Sequence, residues 1–227
     1  MRSSSKDWDQ DIYKKGQQIN RYPFDALVTF FLRNYSRESR ARLRVLEIGC
    51  GTGNNINFLL QEGFNAIGVD SSQTAVDLGN RFLVESGHKR CLKRAELSKL
   101  DFENESFDIV LDRGCLTQNS LADIKVILGE AKRILVDGGI VLSYTLFGNR
   151  HPEIDFGKEV SPNCRDFFIS GYFSNVGLTS FHDIQSIKEC FEMFQILEIK
   201  KQNEFLVGSE ESLINETYSV VALKKDT

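Results

Sequence analysis

The sequence has no apolar run that approaches the ~20 residues of a membrane-spanning helix, and its N-terminus is polar, without the apolar centre of a signal peptide. We therefore expect a cytoplasmic protein with no membrane partner. Cysteine is scarce: the five cysteines are widely spaced, and none forms a CxxC pair. This spacing argues against a disulfide framework and against a metal site.

Positive charge is not in surplus either, because 28 Lys and Arg residues face 32 Asp and Glu residues, for a net charge of −4. Nucleic-acid binding favours clustered Lys and Arg, so a nucleic-acid partner is not expected. Proline is rare as well, and three prolines in 227 residues leave room for long uninterrupted elements. The length fits one α/β domain, since such domains often run to about 200 residues or more.

Short apolar runs alternate with amphipathic stretches between residues 43 and 145, which is typical of a parallel sheet with crossover helices. The predicted strands are Arg44–Ile48, Ala66–Val69, Phe107–Leu111 and Ile140–Thr145, with a weaker one near Cys91–Arg94. The predicted helices are Phe24–Asn34, Asn54–Gln61, a helix capped at Ser71-Ser72 and ending near Glu85, Ala122–Leu135 and Ser180–Phe191. Residues 147–177 are expected to be irregular, and Gln195–Lys200 and Tyr218–Leu223 to form an antiparallel edge pair.

The segment Val45–Gly53 ends a strand in an acidic residue and continues with three alternate glycines before a helix. Such glycines let the chain turn sharply and bring its backbone against a ligand. A dinucleotide loop would read G-x-G-x-x-G, but its third glycine would fall at Asn54 or Ile56, and no P-loop lysine follows. Glu47 would repel a phosphate and attract an ammonium or hydroxyl group. Asp70, at the end of the second strand, could accept both hydroxyls of a ribose.

Four motifs in this order resemble those of class I S-adenosylmethionine-dependent methyltransferases of the small-molecule, type 11/12-like kind. The motifs are Glu47–Gly53, Asp70, Ser106–Val110 and Arg133–Gly139. The resemblance implies an α/β fold: a Rossmann-like, doubly wound, seven-stranded sheet, mostly parallel, with an antiparallel C-terminal hairpin and helices on both faces. It implies a single domain over residues 1–227. Its parts would be an N-terminal helical lid (1–42), a cofactor-binding core (43–146), a substrate-side insertion (147–180) and the last helix with the edge hairpin (181–227).

The resemblance also implies S-adenosyl-L-methionine as cofactor and S-adenosyl-L-homocysteine as product. Gly49 and Gly51 would line the methionine and ribose portions, with Glu47 near the amino group and Asp70 on the ribose hydroxyls. Glu96 would accept a hydrogen bond from the adenine amine. The full set of predicted cofactor-binding residues is Glu47, Gly49, Cys50, Gly51, Asp70, Ser71, Glu96, Leu97, Asp112 and Tyr13.

The expected reaction is in-line displacement of the methyl group by an oxygen or nitrogen nucleophile, less readily by carbon. Candidate catalytic residues are His151, Tyr144 and Arg113, with His151 the preferred general base. The compact chain and the acid composition favour a small-molecule acceptor, such as a sugar or secondary metabolite, and a monomer or homodimer. Two alternatives stay open: a protein or RNA methyltransferase, and a non-catalytic S-adenosylmethionine-binding partner subunit.

Overall fold

The computed structural model describes residues 8–208 and 212–225, which form six α-helices and ten strands. The helices are α1 (Asp25–Asn34), α2 (Arg37–Arg40), α3 (Asn54–Gln61), α4 (Gln73–Glu85), α5 (Leu121–Ile134) and α6 (Ile184–Cys190). The strands are β1 (Arg44–Ile48), β2 (Asn65–Asp70), β3 (Leu92–Arg94), β4 (Phe107–Arg113), β5 (Leu135–Gly148), β6 (Lys158–Ser161), β7 (Cys164–Asp166), β8 (Thr179–His182), β9 (Gln195–Leu206) and β10 (Ser212–Leu223). A π-helical turn at Trp8–Tyr13 precedes them, and 3-10 turns lie at Leu116–Gln118 and Ile154–Phe156.

The main sheet has the strand order β3-β2-β1-β4-β5-β10-β9. Its first five strands are parallel, and β10 runs antiparallel to both β5 and β9. These seven strands confirm the predicted sheet and its C-terminal hairpin. The chain moves outward from β1 to β3 and then returns to β4 on the other side of β1. In open α/β sheets, ligands bind at the carboxyl ends of the strands beside such a switch point.

Alternation along the central strands directs side chains into two hydrophobic cores. On β1, Leu46 and Ile48 pack with residues of α5 and α6, whereas Val45 packs with residues of α1, α3 and α4. Successive side chains of a strand point to opposite faces of the sheet. The helices therefore cover both faces, as predicted.

The start of α4 follows from a local cap. Ser72 Oγ accepts a hydrogen bond from the Ala75 N–H at 3.0 Å, which satisfies a backbone donor that the first helical turn leaves open. This places Asp70 and Ser71 directly before the helix, at the carboxyl end of β2. Within the described ranges, no helix is both long and apolar enough to cross a bilayer.

The region after β5 differs from the prediction. Part of the predicted irregular stretch forms β6 and β7, and the predicted helix Ser180–Phe191 begins as the strand β8, becoming helical only at Ile184. Phe181 of β8 pairs in parallel with Phe147 at the end of β5 and packs with Phe168 and Phe173. This distant packing outweighs the local helical pattern. We call β6–β8 and the loops that join them to β5 (residues 149–182) the cap.

Candidate functional site

A cavity of about 360 Å³, here the central cavity, lies at the carboxyl ends of β1, β2, β4 and β5. Its walls also include the N-terminal residues, the segment after β3 and part of the cap. Ten of the thirteen predicted site residues line it: Tyr13, Glu47, Gly49, Cys50, Gly51, Asp70, Ser71, Glu96, Leu97 and Arg113. The position agrees with the switch point between β1 and β4.

The loop between β1 and α3 depends on glycine for its conformation. Gly49, Gly51 and Gly53 have φ values of +63°, +53° and +76°, a region that other residues adopt only with strain. Space is also limiting, because a Cβ on Gly51 would lie 2.8 Å from Tyr13 Oη and one on Gly49 would collide with the side chain of Cys115. The glycines thus leave the loop backbone exposed to the central cavity, with the Tyr13 side chain packed close to Gly51.

Asp70 is fixed by two backbone donors. The Gly51 N–H donates to Oδ2 and the Ser72 N–H donates to Oδ1, both at 2.9 Å. Burial raises the pKa of Asp70, and these two hydrogen bonds oppose that shift by stabilising the carboxylate. Each oxygen keeps a second lone pair, so the carboxylate can still accept two vicinal hydroxyl groups.

Glu47 is the most unusual side chain of the cavity wall, since it is only 2% exposed. Asn55 Nδ2 donates to its Oε1 at 2.7 Å, whereas Oε2 has no hydrogen-bond partner among the described residues. Burial raises the pKa of Glu47 to about 8, against the opposing effect of the Asn55 hydrogen bond. An unpaired buried oxygen is costly, and a cationic donor at Oε2 would remove that cost.

Two sets of hydrogen bonds attach the N-terminal residues 8–24, here the N-terminal segment, to the cavity. At its start, Ser72 Oγ donates to Asp9 Oδ1 at 2.6 Å and the Thr74 N–H donates to the same oxygen at 3.2 Å. These bonds lower the pKa of Asp9 to about 2, and the hydrogen bond from Ser72 has the largest effect. Asp9 thereby holds Trp8 and Tyr13 over the cavity, at the beginning of α4.

Further along the N-terminal segment, polar side chains from the β1–α3 loop and the first turn of α3 bind its backbone. Thr52 Oγ1 donates to the Asn20 carbonyl at 3.2 Å, and Asn54 Nδ2 donates to the Tyr22 carbonyl at 2.8 Å. The Phe24 N–H donates to Asn55 Oδ1 at 3.2 Å, so the amide that orients Glu47 also holds the entrance to α1. The N-terminal segment is therefore a wall of the cavity; that it opens as a lid stays a prediction.

Asp112 does not line the central cavity, although it was predicted to bind the cofactor. It is fully buried, and Ser143 Oγ donates to its Oδ2 at 2.6 Å. The N–H groups of Cys115 and Leu116 donate to its Oδ1 at 2.9 and 3.0 Å. Burial raises the pKa of Asp112 to about 6 despite these donors. Its carboxyl group fixes the turn after β4, and residues of that turn, Gly114 and Cys115, line the cavity in its place.

His151 and Tyr144 also lie outside the central cavity. His151 is 6% exposed and packs among the rings of Phe147 and Phe173, with its Nδ1 accepting the Glu153 N–H at 3.2 Å. Burial lowers the pKa of His151. A general base must come within hydrogen-bond reach of the proton it removes, and the structure does not bring His151 to such a place. Tyr144 lines a second cleft, and burial raises its pKa to about 12.

Sequence reasoning missed Asn55 and Thr145. Asn55 lies in a predicted helix whose pattern assigns no role to it. Its one distinguishing feature in the sequence is that two asparagines, Asn54 and Asn55, begin the helix. Thr145 has φ of +68° and forms a bulge in β5, where Tyr144 pairs with Ser219 and Leu146 with Tyr218. Residues in such conformations cluster at ligand sites.

The charge of the cavity suits a cationic ligand. Among the described residues that line it, four are acidic and one is basic: Glu47, Asp70, Glu96 and Asp123 against Arg113. A carboxylate-rich wall attracts a sulfonium or an ammonium group and repels phosphates. Among the residues that the structure describes, no group of three His, Cys, Asp or Glu side chains could hold a metal ion, either in the cavity or elsewhere.

Comparisons with known proteins agree with this geometry. Residues 45–139 match the family model of a methyltransferase domain. The chain is 34% identical to an uncharacterized protein of Haemophilus influenzae over 116 residues, 49% of this chain and 46% of that protein. It is 27% identical to a ubiquinone biosynthesis O-methyltransferase of Chelativorans over 118 residues, 50% of this chain and 46% of the relative. The chain spans about half the length of these curated relatives.

The fold has close structural counterparts. A SAM-dependent methyltransferase structure from Methanosarcina mazei has a TM-score of 0.69 at 15% identity and covers 90% of this chain and 99% of its own. The YcgJ protein of Bacillus subtilis has a TM-score of 0.66 at 15% identity, over 90% of this chain and all of its own. At this identity the likeness establishes the fold alone. The chain therefore shares this fold, and over residues 45–139 the sequence pattern of a methyltransferase domain, with S-adenosylmethionine-dependent methyltransferases.

Proposed function

We propose that this protein transfers the methyl group of S-adenosylmethionine to an oxygen or nitrogen atom of a small molecule. One observation carries the proposal: Glu47 is buried at the cavity wall with one carboxylate oxygen unpaired. A dinucleotide would bring two phosphates against this side chain, whereas an amino-acid sulfonium brings an ammonium group that can bind Oε2. The glycine loop and Asp70 complete a site for a nucleoside without a pyrophosphate.

The residues of the central cavity fit the cofactor part by part. Glu47 is proposed to bind the ammonium group, and Asp70 to accept the ribose hydroxyls beside Gly51. Ser71 and Leu97 are proposed to contact the adenine ring, with the exposed Glu96 near its amine. When bound, the cofactor supplies an electrophilic methyl group on a positively charged sulfur.

The chain's own contribution to the reaction is alignment and exclusion of water. Well-oriented reactants can gain about 7–11 kcal/mol from positioning alone. The leaving thioether is neutral, so the site needs no group to stabilise a leaving anion. Phe147, Val176 and Leu178 give the acceptor side of the cavity an apolar wall, and the N-terminal segment covers the opposite side. With His151 outside the cavity, we assign no general base.

The size of the central cavity supports a small acceptor. Small-molecule sites usually measure about 300–1,000 Å³ and are largely enclosed. The cavity falls in this range, and Trp8, Tyr172 and the cap residues narrow it. Relatives are named as ubiquinone biosynthesis O-methyltransferases and as a sterol 4-C-methyltransferase of Caenorhabditis elegans, so oxygen and carbon acceptors both occur among similar proteins.

The first test is a calorimetric titration of the protein with S-adenosylhomocysteine, with NAD as the control ligand. We expect binding of the first and none of the second. Asp70→Asn should weaken the affinity for S-adenosylhomocysteine at least about tenfold, because an amide cannot accept both ribose hydroxyls. The matched control is Asp77→Asn on the exposed side of α4. Equal affinity in wild type and Asp70→Asn would contradict the ribose assignment.

A second experiment tests the acceptor class. The protein is incubated with methyl-labelled S-adenosylmethionine and a bacterial extract separated into small-molecule, RNA and protein fractions. Label in the small-molecule fraction supports the proposal. Label confined to RNA or protein contradicts it, and the Asp70→Asn variant controls for label transferred by other enzymes in the extract.

A further inference from the structure

Arg113, the last residue of β4, lies where two cavities meet. Its side chain lines the central cavity and also a cleft of about 980 Å³ between α1 and the β9–β10 hairpin, here the outer cleft. Phe24 and Thr145 are the other residues that line both. The guanidinium group therefore stands at the border between the predicted cofactor site and a second approach to it.

The guanidinium group is held in place but not neutralised. Its central carbon lies 3.4 Å from the centroid of the Phe24 ring, a cation–π contact that orients the planar group. In the part of the chain that the structure describes, its nitrogens make no hydrogen bond or ion pair. Asp112 is already bound by three donors, and Glu47 is the side chain proposed to bind the ammonium group of the cofactor.

This unpaired charge is exceptional in its surroundings. Arg113 is the one basic side chain among the described residues that line the central cavity. Tyr172, Asp112, Glu47 and Asp25 act on it electrostatically, but within the described structure none of them forms a hydrogen bond or ion pair with its guanidinium group. Burial lowers the pKa of the half-buried Arg113, but a guanidinium group is not deprotonated in proteins and so retains its charge. Such a group is a ready site for an anion that can accept two parallel hydrogen bonds.

We propose that Arg113 binds a carboxylate or phosphate group of the methyl acceptor, so that the enzyme selects anionic acceptors. The inference rests on the proposed function, since it presumes that the central cavity holds the cofactor. The methionine carboxylate of the cofactor is the competing anion. Position favours the acceptor: Arg113 and Thr145 also line the outer cleft, whereas Glu47, the proposed contact of the methionine ammonium group, lines only the central cavity.

The test uses protein saturated with S-adenosylhomocysteine and small probe anions. Trp8 is the only tryptophan and lines the central cavity, so its fluorescence reports binding there. Benzoate, phenyl phosphate and the neutral benzamide are titrated into wild type, Arg113→Met and Arg113→Lys. Arg33→Met is the matched control, because Arg33 lines the outer cleft but not the central cavity.

We expect wild type to bind one of the two anions at least about tenfold more tightly than benzamide, and the preferred anion identifies the acceptor group. Arg113→Met should lose this preference, Arg113→Lys should keep part of it, and Arg33→Met should keep all of it. Equal binding of anions and benzamide by wild type, or no binding of either anion, would overturn the proposal.

A separate arm tests the competing assignment to the cofactor. S-adenosylhomocysteine and 5′-methylthioadenosine, which lacks the amino-acid portion, are titrated into wild type and Arg113→Met. A loss confined to the homocysteine ligand would assign Arg113 to the methionine carboxylate and refute the acceptor role. Failure of wild type to bind either nucleoside would instead refute the proposed function, so the two failures are distinguishable.

Discussion

Cofactor binding should release a proton from Glu47. Burial raises the pKa of this side chain to about 8, so about nine-tenths of the ligand-free molecules carry it protonated at pH 7. A ligand ammonium group beside the unpaired Oε2 favours the ionised form. Binding of S-adenosylhomocysteine should therefore release about 0.9 proton at pH 7 and about 0.5 at pH 8.

The same equilibrium makes affinity depend on pH. At pH 7 the site must first ionise Glu47, which weakens the apparent affinity about tenfold; at pH 8 this penalty is about twofold. Because the folded pKa lies above the ordinary value for Glu, ionisation is easier as pH rises, and affinity rises with it. We expect binding about fivefold tighter at pH 8 than at pH 7.

Calorimetry measures the proton release directly. Titrations in phosphate and in Tris differ in observed enthalpy by the number of protons released multiplied by the difference between the buffers' ionisation enthalpies. Glu47→Gln should bind with no release and with little change in affinity between pH 7 and pH 8. 5′-Methylthioadenosine, which has no ammonium group, should release none from wild type. Undiminished release from Glu47→Gln, or none from wild type at pH 7, would refute the reasoning.

Three further predictions concern the cavity walls. Asp9→Asn should weaken the affinity for S-adenosylhomocysteine about threefold to tenfold, because it weakens the hydrogen bond from Ser72 that holds the N-terminal segment. Asp11→Asn, at an exposed side chain, should leave the affinity unchanged. Since the pKa of Asp9 is about 2, its stabilising contribution should persist above pH 4 and disappear as pH falls through 2, measurable by thermal unfolding. Gly51→Ala should weaken the affinity for S-adenosylhomocysteine at least about tenfold. Adding Tyr13→Phe, which removes the hydroxyl 2.8 Å from the new Cβ, should restore part of that affinity. Equal losses in the single and double variants would contradict that contact.

The cavity wall formed by the ends of β1 and β2 could be predicted because its determinants are local. A buried strand and three glycines constrain the backbone near Glu47, and the side-chain cap at Ser72 constrains it beside Asp70 at the end of β2. Because β1 and β2 are parallel neighbours, their carboxyl ends, and with them Glu47 and Asp70, lie at the same edge of the sheet. Asn55 escaped notice because its role depends on a contact with Glu47 that a helical pattern does not encode.

Neighbouring residues of β4 illustrate a limit of a different kind. Period-two alternation says that Asp112 and Arg113 point in opposite directions, but not which of them faces the cavity. The choice depends on Ser143, which is paired with Asp112 across β4 and β5 and donates to its carboxylate. Only the register between two strands that are distant in sequence makes Arg113 the residue that lines the central cavity.

The misplacement of His151 has the same origin. Three residues beyond β5, it has the sequence position of a group that overhangs the active site. However, β8 pairs with the end of β5 and brings Phe181 beside Phe147, which closes an aromatic cluster around the imidazole. Phe147 also lines the central cavity, so the histidine packs behind the wall rather than within it. The imidazole held there supports the shape of the central cavity, because it packs against the ring that forms part of its wall.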